Sequence, residues 1–160
     1  MSLIINNPKI ELIESDIVIN ELIEGFDPEK NFNDEEYFFG NCFLKHVFNP
    51  IKDEIIINIP EIKISRYVFT KKITDRNIMK CFGISKKTGL INRATALWLL
   101  HNISQKGIIS GDIYTTVIGY LLCDDNIIRR VDVCYFDSKW TCYCDELEYL
   151  ESNHGAISID

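Results

Sequence analysis

The spacing of apolar positions changes several times along the chain. Over residues 10–26, IELIESDIVINELIEGF, the apolar side chains include Ile10, Leu12, Ile13, Ile17, Val18, Leu22, Ile23 and Phe26. This spacing predicts a helix capped at Ser15 or Asp16 and closed at Gly25, with a short strand ahead of it. Asp27-Pro28 marks a turn. Residues 33–36 (NDEE) form a helix start, with a cap followed by acids in the first turn. The aromatic run 37–48 that follows holds Gly40, so helix and strand both remain open for it. Asn49-Pro50 ends the run in either case. Residues 54–59 and 61–70 read as two Ile-rich strands separated by Pro60.

Thr74-Asp75 is expected to cap a helix reaching about Phe82, with Gly83 after it. A polar turn over 85–89 leads to a helix over 90–106 that stops at Gly107. That helix is apolar almost all round, as a central helix covered on several sides would be. The last third alternates like strands. Residues 114–122 and 127–136 flank the turn Asp124-Asp125-Asn126, and a second reversal at Asp137-Ser138-Lys139 leads to a third strand ending at Cys144. Asp145 then caps a short helix over 146–153, ahead of a loose tail. The fold expected is one α+β domain over 1–160. An antiparallel C-terminal meander packs on a central apolar helix, with N-terminal helices and short strands.

Composition changes little in this picture. A chain of 160 residues with 46% apolar and 26% charged side chains can fold without a disulfide or metal staple. The longest apolar run, 94–100, is far short of the ~20 residues of a membrane span. Residues 1–8 carry no leader pattern, so a cytoplasmic protein with no membrane partner is expected. In that compartment its six cysteines are expected to be thiols.

Charge changes it more. Residues 63–93 hold nine Lys or Arg and one acid, Asp75, a net +8 in a chain whose total is −7. The rest therefore carries −15, and a basic patch on an acidic body is expected.

Few segments point to chemistry. Phe82, Gly83, Ile84, Ser85 and Thr88 in FGISKKT resemble the turn of the helix-turn-helix family, over about residues 74–93. The resemblance implies a nucleic-acid contact through Arg76, Lys80, Lys86, Lys87 and Arg93. The plain alternative is a helical hairpin with a solvated basic turn, because the following helix is too apolar for a wet major groove. The same Ser85-Lys86-Lys87-Thr88-Gly89 turn suggests a nonspecific anion site. Four cysteines fall within 22 residues. With a three-residue loop at Asp137–Lys139, Cys134, Cys142 and Cys144 would share one face of a hairpin, yet their spacing is not that of a zinc knuckle. No spaced His pair or nucleotide-binding glycine loop occurs, and His101 reads as a partly buried helix residue. His46 and His154 read as surface or loop positions.

Three functional classes follow. The first is a small acidic binding protein without catalysis, cofactor or metal, for example an immunity protein or inhibitor of a basic toxin or nuclease. Its candidate contacts are Asp124, Asp125, Asp132, Asp137, Asp145 and Glu146 with the aromatics Tyr135, Trp140 and Tyr143. The second is a nucleic-acid-binding regulator using the basic segment. The third is a cysteine- or metal-dependent enzyme.

Overall fold

The computed structural model describes residues 7–109 and 115–160. The expected strand start at Tyr114 and most of the segment read for a leader lie outside the described residues. Nine strands are found among them: β1 (Ile10–Ile19), β2 (Tyr37–Phe39), β3 (Ile62–Phe69), β4 (Ile73–Thr74), β5 (Thr116–Leu122), β6 (Ile128–Phe136), β7 (Lys139–Asp145), β8 (Tyr149–Leu150) and β9 (Gly155–Ile159). The helices are α1 (Pro28–Asn31), α2 (Asn41–Phe43), which runs on as a π-helical stretch Leu44–Phe48, α3 (Asp75–Cys81) and α4 (Arg93–Lys106).

Seven strands form one mixed sheet in the order β1-β3-β9-β5-β6-β7-β2, and β4 pairs with β8 apart from it. Among the described residues helices supply 22% and strands 40%, so the protein is mostly sheet and the α+β expectation is corrected. Three elements account for the difference. The short strand expected ahead of Ser15 runs on to Ile19, antiparallel to β3, and the helix expected from Ser15 or Asp16 to Gly25 does not form. Register shifts between Leu12 and Glu14 and between Glu14 and Ile17 insert extra residues, and Asp16 sits at φ 56°. Those bulges spoil the two-residue alternation and give β1 its helix-like spacing. Residues 146–153 form β8 and turns rather than a helix. The expected loose tail is β9, which lies inside the sheet, antiparallel to β3 and parallel to β5.

Other elements sit near their expected places. Thr74 caps α3 by accepting from the Asn77 N–H; the helix expected from residue 90 begins at Arg93, where Asn92 caps α4 by accepting from the Thr95 N–H. Gly107 ends α4 in the left-handed conformation, at φ 62°. The segment 54–59 makes only isolated bridges, Phe26 to Ile56 and Leu22 to Ile59. β5, β6 and β7 follow one another antiparallel.

The sheet separates two apolar clusters. On one face α4 packs with the 19–64 region against Ile118, Val131, Val133, Cys142 and Cys144. On the other, Ile78, Met79 and Phe82 from α3 and the turn after it pack on Tyr67, Phe69, Val117 and Tyr120. A bulge in β5 between Val117 and Gly119 resets the alternation, so that Val117 and Tyr120 face one cluster and Ile118 and Leu121 the other. Gly119 is needed there, since a Cβ would lie 2.7 Å from the Ile91 side chain.

Candidate functional site

The α3 face of the sheet carries two features of different kinds. The first is buried. Tyr120, Arg130 and Asp145 lie side by side across β5, β6 and β7. The Arg130 guanidinium donates to Asp75 Oδ2 at 2.6 Å, Asp132 Oδ2 at 2.7 Å and Asp145 Oδ2 at 3.4 Å. Asp75, at the start of α3, is fully buried. It also accepts from the Tyr120 hydroxyl at 2.6 Å and the Glu148 N–H at 2.8 Å. This network pins α3 and the β7–β8 loop to the sheet, and losing one member of a buried pair costs about 3–5 kcal/mol. Burial, with Asp145 beside it, outweighs Arg130 and pushes the Asp132 carboxyl up to about 7.

The second feature is open. Asp137 and Ser138 lie at φ 50° and 62°, so the β6–β7 connection is a two-residue turn with both residues left-handed. Cys134 therefore faces Thr141, and Phe136 faces Lys139. On the other side of β7, Phe38 of β2 also faces Thr141. Phe38, Phe136 and Tyr143 thus surround Thr141 on one sheet face, 51%, 71% and 38% exposed. Gly40 lets the Tyr143 ring lie against the backbone, since a Cβ would sit 2.9 Å from it. On the opposite face Tyr135 and Trp140 pair with ring centroids 4.9 Å apart. A cavity of about 320 Å³ opens at the β2 edge, with Asp34, Phe38 and Lys139 at its mouth and Phe32 and Phe48 within.

The predicted acidic contacts are mostly engaged inside the molecule. Asp132 is buried, and Asp145 reaches Arg130. Asp124 is held by Arg93 at 2.9 Å. Asp125 is held by Arg129 at 2.8 Å, and that bond keeps its carboxyl down at about 2. Asp137 stands exposed at the hairpin tip. Glu146 lines a separate groove beside α3. Tyr135, Trp140 and Tyr143 come together at the hairpin, although on two faces. Phe38 and Phe136 were missed in the sequence. The shorter turn would have revealed Phe136, because a slip of one residue moves every side chain to the other face.

The basic candidates divide. Arg76, Lys80 and Lys86 line the groove with Glu146, and Lys87 is exposed in the turn nearby. Arg93 lies apart, donating to the His46 carbonyl and to Asp124. No helix follows the Ser85–Thr88 turn until Arg93, so the recognition helix implied by the family resemblance does not form. The six cysteines are unbridged. The two-residue turn puts Cys134 on the face away from Cys142 and Cys144, and the three thiols do not meet. Burial pushes the thiols of Cys134, Cys142 and Cys144 up, against what a thiolate needs. Among the described residues no group of three His, Cys, Asp or Glu is placed to hold a metal ion. His46 is buried, contrary to the surface position expected of it. His101 lies among Phe26, Phe32 and Trp98, and burial lowers its pKa.

No family model, no curated protein and no solved structure matches the chain. No helix among the described residues is long and apolar enough to cross a membrane.

Proposed function

We propose that this is a cytoplasmic binding protein without catalytic activity that docks a protein partner on the open aromatic face of β2, β7 and β6. The observation that carries this reading is the cluster of Phe38, Phe136 and Tyr143 around Thr141, three exposed rings on one sheet face. Aromatic side chains supply most of the energy of many interfaces, and contiguous exposed apolar surface marks such sites. The adjoining cavity offers a pocket for an apolar side chain of the partner.

The rim gives the partner its chemistry. Asp34, Glu35 and Glu36 precede β2, Asp137 stands at the hairpin tip, and Asp145 closes β7, half-exposed. A partner with a basic border around an apolar centre fits this rim. A toxin or nuclease with a basic active surface is one such partner, and an immunity protein or inhibitor is the function that follows.

Capture from the source cell tests the reading. Wild-type protein should recover one basic protein at stoichiometric amount, and the F136S/Y143S variant should lose it while keeping its melting temperature. Both residues are exposed, so the variant should fold. Recovery of nucleic acid alone, or equal capture by the variant, would overturn the proposal.

A further inference from the structure

The groove beside α3 is built from different chemistry. Its volume is about 980 Å³, and Met79, Ile84, Ile127 and Leu147 give it an apolar floor. Arg76 and Lys80, one helical turn apart on α3, and Lys86 from the following turn stand around that floor with Glu146. Among the described residues, four of the five arginines (Arg66, Arg93, Arg129 and Arg130) have a carboxylate partner, whereas Arg76, like the lysines, forms no ion pair and stands in this groove with Lys80 and Lys86. In a chain of net charge −7, three unmatched cations converge on one apolar surface.

We infer that this groove docks an acidic peptide segment of a partner protein, with one aliphatic or aromatic side chain of the segment on the Met79–Ile127 floor and its carboxylates on Arg76, Lys80 and Lys86. The inference rests on the groove alone and is independent of the aromatic face. Charge complementarity selects an acidic occupant. The groove's shape selects a peptide over a small molecule, which would need to be enclosed over most of its surface. Nucleic acid fits less well, because no aromatic ring lines the groove for a base to stack on. The HTH-like segment then gains a purpose without a recognition helix: its turn carries Lys86 and Ile84 to the groove.

A displayed random-peptide library, panned on the intact wild-type protein, tests this. The selected pool should be enriched in acidic residues flanking a single large apolar one. Affinity of a selected peptide should fall by about tenfold or more in K80E/K86E and in I127S. Lys80, Lys86 and Ile127 are exposed, and unchanged melting temperatures would confirm folding. A short single-stranded oligonucleotide serves as competitor. Three results would each overturn the inference: no enrichment over an empty support, selected peptides that bind K80E/K86E as well as wild type, or an oligonucleotide that binds the groove more tightly than any selected peptide. Because F136S/Y143S leaves the groove intact, it should keep full affinity for the peptides. The two sites therefore fail or stand separately.

Discussion

Arg130 meets three carboxylates, and one guanidinium cannot neutralise them all. Asp132 bears the consequence: it is buried in β6 with Asp145 beside it, and its carboxyl is pushed up to about 7. In the unfolded chain it would titrate near ~3.9. The folded state therefore binds the proton more tightly, and this term stabilises the fold most below about pH 4. It is lost as pH rises through about 7. The three histidines act with opposite sign, since burial lowers the pKa of His46, His101 and His154 and their protonation opposes folding at low pH. The difference between wild type and D132N isolates the Asp132 term. Denaturation at pH values from ~4.5 to ~8.5 should show D132N gaining on wild type as pH rises, by at most about 1.4 kcal/mol per pH unit. A difference that stays constant with pH would show that Asp132 is ionised throughout. In the sequence Asp132 read as a surface contact, because nothing local announces Asp75, which joins it through Arg130 from a helix far earlier in the chain.

β9 carries the sheet across its centre. It bridges β3 and β5, and Ala156 and Ile157 are buried on its two faces. Ending the chain before Gly155 should separate the β1–β3 pair from the β5–β6–β7 meander. Cooperative denaturation and near-ultraviolet dichroism should both be lost, and a truncated chain that unfolds cooperatively would contradict this role. The milder I157A should cost about 2–5 kcal/mol in denaturant titration. Local signals in the sequence account for what was legible: Thr74 as a cap, Gly107 as a terminator, and Asp124-Asp125-Asn126 as a turn. What was lost depends on distant pairing. GAISI at the C-terminal end is too short and too weakly alternating to declare a strand until β3 and β5 flank it. The second half of β1 was lost for the reason opposite to weakness, since its bulges imitate helical spacing. The aromatic face was half legible: Tyr143 and Trp140 were read as contacts, but the length of one turn decided which rings share a face.

At the scale of the whole molecule the division of charge expected from the sequence acquires two addresses. Three cations without an ion pair, Arg76, Lys80 and Lys86, stand at the α3 groove, while the exposed acids Asp34, Glu35, Glu36 and Asp137 stand near the aromatic face. Many other charges are spent internally, as in Arg93–Asp124 and Arg129–Asp125. Steering of a partner depends on the charges left over, because paired ones cancel at a distance. For the basic partner proposed for the aromatic face, association should therefore quicken at low salt. Dissociation should respond to the rings, which ionic strength hardly touches. Stopped-flow mixing of the captured partner with wild type should give an association rate that falls by about tenfold as ionic strength rises from ~20 to ~200 mM. In D34N/E35Q/E36Q the rate should be lower and flatter against salt, with the dissociation rate within about twofold of wild type. In F136S/Y143S the pattern should invert, with association preserved and dissociation faster. An association rate indifferent to salt would mean that the acidic rim does not meet the partner, and the aromatic face would then need an uncharged one.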